Sequence, residues 1–329
     1  MKDYKVVFLA DSHVYDWDGM FGMSSEERLA FAVEGLLKEH REIGKIDMVF
    51  MPGDYCNNLV LESYPAGEFM GEEYGEGASG TDNDPLYRIR LSRFNRIIKP
   101  LWDNGISVFC ANGNHDICSH KTFEKGFGYA DMPMYIAGGA HDVSFPKGYG
   151  KNYAVRLNED VAFIVFDVFD GEKEGFVVNG SGKNWPERTV DPTVVKELFG
   201  ATEGYKEVFL VSHWLNTTLQ EQIMTEIALR DNVKASFVGH SHSEAKRRLP
   251  SGKPEYVCGY LGVPMYEKQK DFQIAPFSYR VLERNGDALS THIVLFEKDY
   301  PAYTFARSSG ASVEAFYQPY LVRGREFVE

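Results

Sequence analysis

Five short apolar runs in this chain each stop at an Asp, Asn or His, and that repeated ending limits the folds open to it. Residues 4–10 end at Asp11-Ser12-His13, residues 46–51 at Pro52-Gly53-Asp54, and residues 107–111 at Asn112-Gly113-Asn114-His115-Asp116. Residues 207–212 end at His213, and residues 234–238 at Gly239-His240-Ser241-His242. The runs are short, β-branched and aromatic, as buried strands are. Ligands of open α/β sheets gather at the carboxyl ends of strands, so polar residues more than 200 positions apart here can meet in space.

Amphipathic stretches alternate with several of these runs. Ser24 and Glu27 have the spacing of a capping box, and Leu29, Val33, Leu36 and Leu37 then recur at helical spacing towards Ile43-Gly44. Residues 85–102 carry Leu86, Ile89, Phe94, Ile97 and Ile98 in the same way, Asp191-Pro192 opens a short helix to Phe199, and residues 216 to about 230 form another. The middle, residues 135–170, reads as β, with a hairpin around Asn158-Glu159-Asp160, and residues 256–261, 277–283 and 290–296 read as further strands. Residues 59–84 are rich in Gly, Glu and Tyr with no clean period and read as an inserted loop. There is no internal repeat and no linker. The expectation is a single domain over residues 1–329, with the insert at about 59–84 and a β-rich C-terminal extension from about 246. Its strand and helix order fits two packed sheets flanked by helices.

Composition narrows the partners. Apolar residues make up 43% and charged residues 25%, which sustains a large, well-solvated core. The net charge of −13 repels a nucleic-acid backbone and anionic lipid at long range, so it argues against nucleic acid as the partner. The apolar run Val6–Ala10 is too short for a secretory signal or a membrane span. Cys56, Cys110, Cys118 and Cys258 show no CxxC spacing and read as reduced thiols of a cytoplasmic protein.

Each polar strand ending is weak taken singly, since Asp-x-His and Gly-Asp are common turns. Gly-Asn-His-Asp is sharper, and the ordered set of five is sharper still. Together Asp11-x-His13, Gly53-Asp54, Gly113-Asn114-His115-Asp116, His213 and Gly239-His240-x-His242 resemble the five blocks of the calcineurin-like metallophosphoesterases. The resemblance runs from about residue 4 to 245. It implies a four-layer α/β/β/α sandwich of two mixed β-sheets flanked by helices, with a dinuclear metal centre. It places Asp11, His13, Asp54 and His242 on one metal, and Asp54, Asn114, His213 and His240 on the other, with Asp54 bridging. It makes His115 the group that stabilises or protonates the leaving oxygen, oriented by Asp116.

The residue types suit that assignment. Imidazole and carboxylate together favour Mn, Fe or Zn over Ca²⁺, and two such ions can acidify a bridging water to hydroxide that attacks a phosphate ester. Asn57-Asn58 stand where the protein serine/threonine phosphatases carry Asp-Arg, and Asn57 stands where purple acid phosphatases carry a ligand tyrosine. The pattern is more similar to the small-molecule phosphodiesterase branch. A small-molecule phosphodiester is therefore the expected substrate, with a phosphomonoester, a nuclease activity or a non-catalytic scaffold as alternatives. His40 falls in a helix's last turn, where the dipole favours a cation, and His120, His141 and His292 read as surface or packing residues. Trp17 and the insert are candidates for a rim over the metals. Arg247, Arg248, Arg88 and Arg90 are the cations nearest the motifs in sequence.

Overall fold

The computed structural model describes residues 1–14, 25–56, 67–69, 72–74, 85–113, 115–116, 135–139, 141–144, 152–167, 173–178, 184–188, 190–215, 221–262, 277–295, 321–322 and 325–328. Buried β-branched and aromatic runs form β1 (Tyr4–Phe8), β2 (Met48–Pro52) and β5 (Ser107–Ala111), which lie in parallel. The connections are helix α1 (Ser25–Glu42) and helix α2 (Pro85–Asp103), as a parallel crossover requires. Inside the insert, β3 (Gly67–Phe69) and β4 (Glu72–Tyr74) form a small hairpin, so the stretch expected as a plain loop contains regular structure. The expected capping residue Ser24 lies outside the described residues.

The second half starts with β6 (Val143–Ser144), β7 (Tyr153–Arg156) and β8 (Val161–Phe166), an antiparallel run that includes the expected hairpin. A separate hairpin, β9 (Lys173–Val178) with β10 (Asn184–Arg188), precedes helix α3 (Pro192–Ala201). Asp191 caps α3 by accepting from the Thr193 amide at 2.7 Å. Then come β11 (Glu207–Ser212), helix α4 (Glu221–Ala228), β12 (Val233–Val238), β13 (Glu244–Arg248) and β14 (Pro254–Cys258). The chain continues with β15 (Ser278–Asn285), β16 (Ala288–Leu295), β17 (Leu321–Val322) and β18 (Glu326–Phe327).

Two mixed seven-stranded sheets result, in the orders β17-β16-β15-β1-β2-β5, with β18 on β16, and β13-β14-β12-β11-β8-β7-β6. The strands beyond residue 246 therefore complete both sheets. The sheets pack through aromatic rings, with Phe8 stacked on Phe237 at 4.0 Å and Phe50 tilted against Phe163 at 4.7 Å between centroids. Phe166, Val195, Leu198, Phe199, Ile223 and Ile227 form a second apolar cluster, which seats α3 and α4. The result is the expected α/β/β/α sandwich.

A polar rivet joins the sheets at the ends of β1 and β11 remote from the motifs. Tyr4 donates to Glu207 Oε2 at 2.7 Å, and Arg284 on β15 binds the same carboxylate through Nε at 3.2 Å and through Nη2. Burial, with Glu207 beside it, pushes the Tyr4 phenol far above its ordinary range, so it stays a donor. Glu207→Ala strands both partners in the interior and is expected to lower stability by about 3–5 kcal/mol. A denaturant midpoint that moves by less than a third of the corresponding shift would contradict this role.

Candidate metal centre

The β1–β2 pairing does not stop where the strands end. Asp11 N–H donates to Gly53 O at 3.2 Å, His13 N–H to Asp54 O at 2.9 Å and Val14 N–H to Tyr55 O at 3.0 Å. That continuation sets Asp11, His13 and Asp54 side by side at the carboxyl edge. The second sheet meets them there, because His240 N–H lies 2.9 Å from both Asp11 carboxylate oxygens and His213 Nδ1 lies 2.9 Å from Pro52 O.

Among the described residues, side-chain-bearing positions are held in the left-handed backbone at this edge alone. Among the described residues, those other than glycine with positive φ are Asp11 (50°), His13 (44°), Asp54 (50°), His240 (67°) and His242 (43°). A left-handed conformation costs an L-residue roughly 1–2 kcal/mol, and such strain collects where function requires a particular direction for a side chain. Neighbouring glycines make room. A Cβ on Gly53 would sit 2.3 Å from His213 Nδ1, and one on Gly113 would sit 2.2 Å from Asp54 Oδ1.

Seven expected ligands were named, and the structure brings six of them into two sets. One ligand atom each from Asp11, His13, Asp54 and His242 lie within 4.8 Å of one another, as do those of Asp54, His213 and His240. His13 Nε2 and His242 Nε2 are 2.9 Å apart, and His240 Nδ1 and His213 Nε2 are 3.2 Å apart. Asp54 Oδ2 faces both sets, 3.2 Å from His213 Nε2 and 3.6 Å from His13 Nε2, yet is buried with no hydrogen bond. Facing imidazole nitrogens can share one proton at most, so this donor set fits cations. The seventh ligand, Asn114, lies outside the described residues.

Charge at the centre is concentrated on few atoms. Burial opposes ionisation of Asp54, but His213, His115 and His13 around it outweigh burial and hold its carboxyl well below the usual range. Burial likewise opposes a proton on His213, yet Asp54, Asp11 and the Pro52 carbonyl push it up to about 9. His240 goes the other way, to about 3, through burial and its neighbour His213. Burial also takes His13 well below the ordinary histidine value.

The His115 and His13 rings meet edge to face, with centroids 4.7 Å apart, and the His115 backbone N–H donates to Asp54 Oδ1 at 2.7 Å. Asp116 is buried, and its two oxygens accept from Cys56 N–H at 3.0 Å and Gly113 N–H at 2.8 Å. Burial and the nearby Asp54 raise its carboxyl well above the usual range. Asp116 thus ties the loop of Asp54 to that of His115 through the backbone. Of the other histidines, His40 lies in the last turn of α1, as expected, and its Nδ1 accepts from Ile46 N–H at 3.0 Å. His292 sits 3.6 Å from Glu283, His141 lies 3.1 Å from the Arg156 carbonyl, and His120 lies outside the described residues.

Sequence reasoning missed the aromatic supports of the ligands. Trp214 packs on His240 at 4.0 Å, and Tyr260 stacks on His242 at 5.9 Å. Trp214 follows His213 directly and was legible as a neighbour, whereas nothing in the sequence around Tyr260 points to it. Of the arginines, Arg247 Nη2 donates to Ser241 Oγ at 2.9 Å and lies 4.0 Å from Glu255, while Arg248 donates to Gly252 O. Trp17 and the side chains of Arg88 and Arg90 lie outside the described residues.

The calcineurin-like phosphoesterase family matches residues 4–244, and the chain belongs to that family. The structure of PhoD superposes with a TM-score of 0.56 at 10% identity, covering 90% of this chain and 66% of that one. Purple acid phosphatase PPD1 from yellow lupin (Lupinus luteus) seeds gives 0.54 at 12% identity, covering 90% of this chain and 52% of that one. A dimetal phosphatase from Danio rerio gives 0.49 at 12%, covering 88% and 95%. This chain therefore spans about half the length of the lupin enzyme and about two thirds of PhoD. At these identities the likeness is one of fold. No curated protein matches the chain. Among the described residues no helix is long and apolar enough to cross a membrane.

Two glycines separate close approach from backbone preference. Gly53 (φ 88°) and Gly105 (φ 83°) share the left-handed backbone, but a Cβ meets His213 at the first and open space at the second. Gly105→Ala should cost about 1 kcal/mol, and Gly53→Ala at least twice that, with the His213 ring displaced. Equal melting-temperature losses would show that the contact with His213 carries no energy.

Proposed function

We propose that this protein hydrolyses a small-molecule phosphodiester at a dinuclear metal centre, with the whole chain acting as one domain. The observation that carries the reading is the convergence of two ligand sets on one buried carboxylate, Asp54. Asp11, His13, Asp54 and His242 would hold one ion, and Asp54, His213 and His240, with Asn114 as fourth donor, the other. Mn, Fe or Zn suits these donors, and such a pair supplies Lewis-acid charge for the phosphoryl oxygens and a nucleophile at neutral pH.

The chain's own groups do the rest. Asp54 would be the shared ligand, since its Oδ2 is buried without a hydrogen bond while its Oδ1 accepts from the His115 backbone amide. His213 Nδ1–H on the Pro52 carbonyl leaves Nε2 facing Asp54 and the centre, the usual way a ligating imidazole is oriented. His115, turned towards His13, protonates the leaving oxygen. Asp116 positions it by clamping Gly113 and Cys56, one on each side of the site.

Asp54→Asn should weaken both sites at once and remove activity together with most bound metal. Two full equivalents and normal turnover in that variant would overturn the bridge. His115→Ala should keep both metals and lower kcat by about 10²-fold or more on substrates with poor leaving groups. Nitrophenolate esters need less proton donation and should lose less, so equal losses on both kinds would remove His115 as the acid.

The choice of a diester rests on charge. A phosphomonoester near pH 7 carries close to two negative charges and a diester one. The cation beside the histidine motif, Arg247, is already engaged by Ser241 and lies near the Glu255 carboxylate. Diesters should therefore show higher kcat/KM than matched monoesters. A monoester lead of tenfold or more that Arg247→Ala abolishes would make the enzyme a phosphatase with Arg247 gripping the dianion.

A further inference from the structure

Behind one half of the centre lies a segment that belongs to none of the sequence motifs. Leu261 N–H donates to Ala10 O at 3.2 Å and Gly262 N–H to Asp11 O at 2.6 Å, so residues 261–262 add a rung to the end of β1. The approach is close enough to require glycine, since a Cβ on Gly262 would lie 2.5 Å from Asp11 O and 2.7 Å from His13 Cδ2. One residue earlier in the segment, the buried Tyr260 stacks on His242 with planes 18° apart, and its carbonyl accepts from Ser278 N–H at 3.0 Å. Arg28 of α1, only 3% exposed, donates through Nε to Leu261 O at 2.6 Å and lies 4.2 Å over the Phe277 ring.

These contacts are one-sided. They reach Asp11, His13 and His242, which with Asp54 make up the first ligand set. The rings of the second set, His213 and His240, pack instead on Trp214, at 5.2 and 4.0 Å. Asp11, His13 and His242 are also three of the residues held in the left-handed backbone, where an unbraced chain would relax. The Gly262 amide fixes the carbonyl of Asp11, and the Tyr260 ring limits rotation of His242. A charge-assisted hydrogen bond from a buried guanidinium fixes the segment that carries both.

We propose that Arg28, Tyr260 and Gly262 form a brace of positioning residues for the Asp11–His13–His242 ligands. The brace sets the affinity of that metal site separately from the His213–His240 site. The proposal rests on the two-site reading above, and the test keeps the two apart. Chelator-treated protein is titrated with Mn²⁺, with bound metal counted by elemental analysis and affinities read by calorimetry. The unaltered protein should take up two equivalents, and if it takes up none, it is the two-site reading that fails. Gly262→Ala and Arg28→Met should each keep one equivalent at unchanged affinity and weaken the other about 10–100-fold, the usual cost of losing an outer support. Arg28→Lys, which retains a donor, should recover most of the loss, and saturating Mn²⁺ should restore kcat in every variant. Glu207→Gln, which perturbs the far end of the sandwich, should retain both equivalents and separates the brace from general destabilisation. If Gly262→Ala does not fold, Arg28→Met alone decides. Two equivalents at unaltered affinity in that variant, or equal weakening of both, would overturn the brace.

Discussion

The structure around the centre depends on one buried carboxylate whose neighbours favour its charged form. Asp54 is 1% exposed, and its Oδ2 faces the histidines of both ligand sets without a hydrogen bond. A lone carboxylate so placed is costly unless cations compensate it. His213, with its raised affinity for a proton, provides part of that compensation. The left-handed turns at Asp11, His13, Asp54, His240 and His242 aim further donors at the same point, at the expense of backbone strain. Strain and desolvation would both be wasted in a protein whose only requirement was to fold.

The stability that offsets this cost lies elsewhere in the sandwich. Packed rings of Phe8, Phe50, Phe163 and Phe237 fill the space between the sheets, and the Tyr4–Glu207–Arg284 rivet pins their far ends. Parallel β1, β2 and β5 in one sheet, and parallel β11 and β12 in the other, bring their carboxyl ends together. A rigid apolar body thus holds a polar edge under strain.

The parts of the fold that were legible are those where local pattern and tertiary position agree. The run 107–111 reads as a buried strand because every side chain in it is buried, and 207–212 for the same reason. Edge elements were not legible. β13, Glu244–Arg248, is charged along most of its length and, among the described residues, pairs only with β14, so no period reveals it. The hairpin β3–β4 hides in a stretch that composition alone marks as loop. At the site, Asp11, His13, Asp54, His213, His240 and His242 were readable because each follows an apolar run. Arg28 and the segment Tyr260–Gly262 were not, since their roles are backbone contacts and ring packing.

The central claim is that two cations share Asp54. It is tested most directly by diffraction from crystals soaked in Mn²⁺, with anomalous differences collected at the manganese edge. The account predicts two peaks on either side of Asp54. One should lie among Asp11, His13 and His242, the other between His213 and His240, roughly 3.5–4 Å apart as in two-metal sites generally. One peak at full occupancy with the other ligand set bare, or two peaks away from Asp54, would contradict it.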